Sequence, residues 1–334
     1  MSKNSQTKNI LEISGLKTCF RSKSGISTAV DGVELNIKEG ECLGIVGESG
    51  SGKSVTFMSI MGLVRKPGWI AGGSIKFLGK ELDPTDQKAM NKIRGNQIAM
   101  TMQDALTALN PAYTVGSQII EVLLAHDPRF SKGGRLAHKE ARNEAIKVMD
   151  LLRIPNAEAR LDSYPHEFSG GMRQRIMIAI ALACRPKLLV ADEPTTALDV
   201  TIQKQVLAVI SDLRKELGMS VALITHDMGV VAENCDRVAV MYAGQIVETG
   251  SMEQIIHSPK HPYTKGLLAS IPDLDHPENK IQSIEGYPPQ LVDFPDICRF
   301  SERCKFASDI CKQIIPMAYD TGQRGYRCLK AEEL

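Results

Sequence analysis

An α/β fold with buried parallel strands is what this sequence predicts, and three stretches carry the prediction. The runs Cys42–Val46, 188–191 and 221–224 are apolar without alternation, as strands covered on both faces are. Each run stops abruptly at polar groups: a Gly-rich turn after Val46, Asp192-Glu193 after Ala191, and Thr225-His226-Asp227 after Ile224. Ligands of open α/β sheets bind at the carboxyl ends of strands, so these polar ends mark a functional edge and not core.

The turn after Val46 is the most specific of the three. Gly47-Glu48-Ser49-Gly50-Ser51-Gly52-Lys53-Ser54 fits G-x-x-x-x-G-K-[ST] between a strand and a helix, where unpaired backbone N–H groups aim at an anion. The three glycines let the backbone curl around phosphate oxygens without Cβ clashes. Lys53 can reach the outer phosphates, and the Ser54 hydroxyl suits Mg²⁺ beside them. Gly/Ser clusters are commonly plain turns, but Lys-Ser at a helix start marks a nucleoside triphosphate site.

Length and composition narrow the class. The 334 residues allow one large domain or two smaller ones, with 43% hydrophobic and 24% charged residues, as in ordinary globular proteins. A net charge of +1 gives no general case for a nucleic-acid surface. The longest apolar stretch, 176–184, stops at Arg185-Pro186, short of the roughly 20 residues that span a bilayer. Residues 1–8 are polar and lack the apolar segment of a secretory signal, so the expected compartment is the cytoplasm. The eight cysteines are then expected as reduced thiols or metal ligands.

Taken in order, residues 10–13 and 33–37 read as short strands ahead of Cys42–Val46, with a polar loop over 21–27. A helix is expected from Lys53 to about Val64, ended by Lys66-Pro67-Gly68, and then a strand at Ser74-Ile75-Lys76-Phe77. Ile98 to Gln103 reads as a further strand with a polar Gln at its end. Apolar residues then recur at helical spacing through 115–125 and 137–152, a helical subdomain inserted in the α/β core. Phe168-Ser169-Gly170-Gly171-Met172-Arg173-Gln174-Arg175 is a corner opening an apolar helix, either a plain N-cap or a second anion site. Ala197-Leu198-Asp199 opens another helix, 238–242 and 245–248 form a hairpin around Ala243-Gly244, and Met252–His257 is a short helix. From His261 the chain turns Pro-rich and irregular, an extension outside the sheet that holds Cys298, Cys304, Cys311 and Cys328. There is no internal repeat and no low-complexity tract.

The strand ends supply the chemistry. Asp192 is placed to hold Mg²⁺, and Glu193 to orient and deprotonate an attacking water. A solvated turn with two acids is the plainer reading, set aside because the run before them is wholly apolar. His226 at a core strand end reads as a sensor for a terminal phosphate, although a lone His is more often structural. Phe20 is either core or a platform for a nucleotide base.

Six elements stand in one order: Gly47 to Ser54, Gln103, Ser169-Gly170-Gly171-Met172, Asp192-Glu193, Ala197-Leu198-Asp199 and His226. With them the chain resembles the ATPase subunit of an ABC transporter. Phe168 to Arg175, the Leu-Thr-Ala-Leu-Asn-Pro run at 106–111, His261-Pro262-Tyr263-Thr264 and the C-terminal cysteines make it similar to subunits of bacterial dipeptide/oligopeptide importers over nearly its whole length. Met172 replaces the Gln of the general signature, as in that subfamily, and Ala105 stands where a proline is usual.

The resemblance implies a P-loop NTPase (RecA-like) ABC cassette with an antiparallel β subdomain. The cassette would span 8–258, with a helical subdomain over about 104–185 and a C-terminal extension over 259–334. It implies that Ser54, Gln103 and Asp192 attend Mg²⁺, that Glu193 is the catalytic base, that His226 contacts the γ-phosphate and that Phe20 stacks on adenine. Ser169, Gly170 and Gly171 would clamp the nucleotide of a second ATPase subunit across a dimer interface. Further partners implied are two transmembrane permease subunits and an extracytoplasmic solute-binding protein, with the chain peripheral on the cytoplasmic face of the inner membrane.

For the four cysteines, five, six and sixteen residues intervene, where zinc favours short C-x₂₋₄-C pairs. Thiolate-only ligation also suits a [4Fe–4S] cluster, which members of the resembled subfamily carry; zinc or no metal are the alternatives. A competing reading is a soluble ABC ATPase acting on nucleic acid or translation, and another a metal-sensing regulator. The first commonly brings a second cassette, coiled-coil insertions or a basic surface, none of which this sequence has.

Overall fold

In the computed structural model, the described residues are 8–130, 133–196, 198–271, 283–317, 319–320 and 324–333. Ala197, named above, lies outside them. The chain forms two units, one of residues up to Pro84 and from Leu223 onward, the other from Thr85 to Ala222.

The first unit opens with an antiparallel sheet in the order Gly25–Lys38, Asn9–Ser22, Gly68–Phe77, Lys80–Glu81. These strands are longer than the apolar pattern indicated. Of the expected loop at 21–27 only Lys23 and Ser24 form a turn, and the rest is paired strand: Phe20 stands opposite Ser27, Arg21 opposite Ile26 and Ser22 opposite Gly25. An antiparallel sheet can face water on one side, so polar residues extend it while Leu11, Leu16, Val30, Val33 and Ile37 fill the core.

Cys42–Val46 runs parallel to Arg237–Tyr242, with Leu43 opposite Arg237 and Val46 opposite Val240. Arg237–Tyr242 turns back into Gln245–Ser251 through Ala243 and Gly244, at φ of 47° and 86°. Both left-handed values are what a tight two-residue hairpin with the right twist needs. The C-terminal extension is not all irregular. Gly325–Tyr326 pairs onto Gln245–Ser251, Tyr319–Asp320 pairs onto it in turn, and Pro262–Ala269 is a helix. Proline misled here because at the first helical position it starts a helix instead of breaking one.

One apolar cluster joins Val46, Val238, Val240, Tyr242, Val247, Tyr263, Leu267 and Phe300, so the extension shares a core with the phosphate-loop strand. His261 caps the helix Pro262–Ala269 by accepting the Tyr263 N–H at its Nδ1, at 3.1 Å. It is 2% exposed, and burial pushes its imidazole pKa down to about 3. The unfolded chain takes up this proton near an ordinary pKa of about 6.5, so the contribution to stability is whole above that pH and is lost as pH falls toward 3. We expect the melting temperature to drop on acidification below about pH 6.5, and His261→Asn, which keeps the cap, to flatten the drop. Equal slopes for the two proteins would remove His261 from the account.

In the second unit Ile98–Thr101 lies parallel to Leu188–Asp192, with Ile98 opposite Leu188 and Thr101 opposite Ala191. The helices Val115–His126 and Gly134–Leu151 agree within a few residues with the periodicity that foretold them. Gly170–Leu182 and Val200–Leu217 follow. Thr114 and Asp199 cap two of them, accepting from the N–H groups of Ser117 and Ile202. Glu144 is 7% exposed and is met by Arg185 at 3.0 Å, Lys147 at 3.5 Å and Arg129 at 3.5 Å.

Candidate nucleotide-binding site

The phosphate loop belongs to the first unit. Its strand is wholly buried, and Lys53–Ile60 begins the helix beyond it, shorter than expected. A Cβ on Gly47 would stand 2.0 Å from the Met241 carbonyl oxygen, and one on Gly52, at φ 103°, 2.5 Å from that of Ala29. Only glycine fits either place. Lys53 is 5% exposed, and its Nζ donates to the carbonyl oxygens of Gly47 at 2.7 Å and Glu48 at 2.9 Å. The Ser51 N–H donates to the Glu48 carbonyl oxygen at 3.2 Å, closing the curl, while Ser49 and Gly50 are exposed at its crown. Ser54 follows Lys53 in the first helical turn.

Two contacts on this loop have no signal in the sequence. The Glu48 N–H donates to the Tyr263 hydroxyl at 2.9 Å, and the Glu48 carboxylate takes Arg303 in a fork at 2.7 and 2.9 Å. These partners lie 215 and 255 residues away along the chain.

The strand-end acids belong to the second unit, where the structure brings Gln103, Asp192 and Glu193 together. Asp192 ends the buried strand at 4% exposure, and its N–H donates to the Thr101 hydroxyl at 3.2 Å. Glu193 has a φ of 44°, a left-handed backbone that costs a non-glycine residue about 1–2 kcal/mol. Its Oε2 accepts from Gln103 Nε2 at 3.1 Å and from the Thr196 hydroxyl at 2.8 Å. That fixes a partly exposed carboxylate in one direction at the strand end, the geometry a water-activating base needs. No sequence signal singles out Thr196 for this role.

Ser169 stands at the N-cap of Gly170–Leu182 but its side chain makes no capping hydrogen bond, so the plain N-cap reading loses its support. Ser169 and Gly170 are exposed and Gly171 is partly so. His226 is exposed directly after the strand Ser220–Thr225, and Asp227 beside it caps the next helix through the N–H groups of Gly229 and Val230. Phe20 is half-buried in the antiparallel sheet opposite Gly68.

Cys298, Cys304, Cys311 and Cys328 line one cavity of about 20 Å³, room for about one water. The backbone N–H of Lys330 bonds the sulfur of Cys328 at 3.4 Å. Burial, with the neighbouring thiols, pushes Cys298 up to about 11. Among the described residues no group of three or more His, Cys, Asp or Glu stands as a metal-holding set. The four cysteines expected as metal ligands are thus brought to one cavity without meeting there as a metal-holding set. Cys19 and Cys42 are buried, while Cys184 and Cys235 are partly buried.

A family model described as "ABC transporter" matches residues 30–196, and one described as "Oligopeptide/dipeptide transporter, C-terminal region" matches 247–311. The chain is 45% identical to the dipeptide transport ATP-binding protein DppD of Haemophilus influenzae, over 96% of this chain and 94% of that protein. It is 48% identical to the oligopeptide transport ATP-binding protein AppD of Bacillus subtilis, over 97% of each. Among solved structures it is similar to the dimeric post-hydrolysis state of the ATP-binding cassette MJ0796 bound to ADP and Pi, at 27% identity and a TM-score of 0.63, over 72% of this chain and 98% of that one.

Proposed function

The chain belongs to the ABC transporter family, with the oligopeptide/dipeptide transporter C-terminal region, and from that premise we propose that it hydrolyses ATP to power import of di- or oligopeptides, or related small solutes, through membrane permeases. The observation that carries the hydrolytic part is Glu193, held in a strained backbone and aimed by Gln103 and Thr196 beside the buried Asp192. Peptide as cargo is supported by the names of the relatives. The alternative, a soluble ABC ATPase acting on nucleic acid or translation, is disfavoured by the match at 247–311.

In the proposed reaction the loop from Gly47 to Ser54 cradles the phosphates, Lys53 neutralises their charge and Glu193 accepts a proton from the attacking water. Ser54, Gln103 and Asp192 offer only oxygen donors, the set Mg²⁺ prefers, and with Nε2 directed at Glu193 the amide oxygen is what Gln103 would offer. Mg²⁺, when bound, would supply charge neutralisation across the β- and γ-phosphates. His226 would contact the γ-phosphate and Phe20 the adenine ring. Ser169, Gly170 and Gly171 would complete the site of a second ATPase subunit, identical or paralogous.

No helix among the described residues is long and apolar enough to cross a membrane. Kinship with the transport ATP-binding proteins supports a peripheral place on the cytoplasmic face of the inner membrane, with two permease subunits and an extracytoplasmic solute-binding protein as partners. Uptake of a labelled dipeptide by cells lacking this chain tests the reading. Uptake should stop on deletion and return with the intact chain, and unimpaired uptake of peptides and related solutes in the deletion strain would refute it.

For the four thiols we propose a [4Fe–4S] cluster, with zinc as the alternative. Soft donors in one cavity and the Lys330 N–H···S bond at Cys328 support it. The thiols of Cys298, Cys304 and Cys328, which burial holds protonated, must release protons to bind a metal. Anaerobically purified protein should be brown and contain about four irons per chain. Colourless protein with one zinc decides for the alternative, and metal-free protein overturns both.

A further inference from the structure

Arg303 and Tyr263 lie far outside the sequence motifs of nucleotide binding, yet both act on the first variable residue of the phosphate loop. Arg303 is 5% exposed at its side chain, and every one of its five N–H groups is used. Two form the fork on Glu48, one reaches the Tyr242 hydroxyl at 3.3 Å, and two reach the carbonyl oxygens of Ile284 and Glu285 at 3.3 and 2.9 Å. Its guanidinium also lies over the rings of Tyr242 and Phe300. Such a fork has one geometry, so it sets the direction of the Glu48 carboxylate. From the other side Tyr263, fully buried, accepts the Glu48 N–H.

A parallel tether reaches the loop from the same segment. Arg299 bonds Asp31 at 2.5 Å and the Ala243 carbonyl oxygen, and the next residue, Gly244, donates its N–H to the Ser51 carbonyl oxygen at 2.8 Å. The curl that aims backbone N–H groups at phosphate is thus held at Glu48 and at Ser51 by arginines next to Cys304 and Cys298. We propose that Arg303 and Tyr263 of the C-terminal extension are positioning residues of the phosphate loop, setting its affinity for ATP through Glu48. This rests on the reading of the loop as a nucleotide site.

The test uses the full chain with Arg303→Gln, Tyr263→Phe, Glu48→Gln and the pair Glu48→Gln/Arg303→Gln. Each is titrated with a fluorescent ATP analogue and Mg²⁺ beside a thermal melt. Arg303→Gln should weaken binding about tenfold and Tyr263→Phe about threefold, as loss of a charged and of a neutral hydrogen bond would. The pair should bind no more weakly than Arg303→Gln alone, because both changes break one interaction. In steady state KM for ATP should rise while kcat stays within about twofold, a split that general destabilisation does not give. Affinities within about 1.5-fold of the unvaried protein, or losses at Glu48 and Arg303 that multiply, overturn the inference. If Arg303→Gln fails to fold, Tyr263→Phe, which keeps the ring in the core, decides alone. Failure of the unvaried protein to bind the analogue overturns the nucleotide reading itself.

Discussion

Glu193→Gln will lower steady ATP turnover by roughly 10²–10⁴-fold and leave ATP binding intact, the range a lost general base commonly costs. The amide keeps the size of the carboxylate and an oxygen that can accept from Gln103 or Thr196, so the left-handed turn at residue 193 has no reason to move. What is lost is the capacity to take a proton from water. A fall in kcat with unchanged nucleotide affinity is the mark of an interaction made in the transition state alone. Phosphate release by the assembled transporter is the measurement, with equilibrium binding as its control. Steady hydrolysis by this variant would assign the base elsewhere.

Much of the site was legible because its signals are local. A buried strand, a turn of set spacing and a helix start lie within a dozen residues around Gly47, and Asp192-Glu193 ends an apolar run that has one physical reading. The supports of those residues were not legible. Thr196 could be recognised as a partner of Glu193 only once the turn was closed, and the left-handed φ of Glu193 leaves no trace in residue type. Arg303 meets Glu48 across 255 residues, a separation that no periodicity bridges. The fold failed to read for a related reason at 21–27, at 319–320 and at 325–326. There pairing is decided by a neighbouring strand, and Ser, Arg and Gly extend an edge as readily as they form a loop.

Lys53→Ala will act at the opposite step, weakening ATP binding by about 10²-fold or more, since a buried ammonium on a phosphate makes several charge-assisted bonds at once. Nζ bridges the carbonyl oxygens of Gly47 and Glu48, so it braces the curl from inside as Arg303 and Tyr263 brace it from outside. Removing it takes the one buried cation of the loop from the phosphates and withdraws that brace. The effect should therefore exceed that of Arg303→Gln, which leaves Lys53 in place. Titration with the same fluorescent analogue separates the cases. Unchanged affinity in Lys53→Ala would exclude the loop from phosphate binding, whereas a loss no greater than that of Arg303→Gln would leave Lys53 only its bracing role.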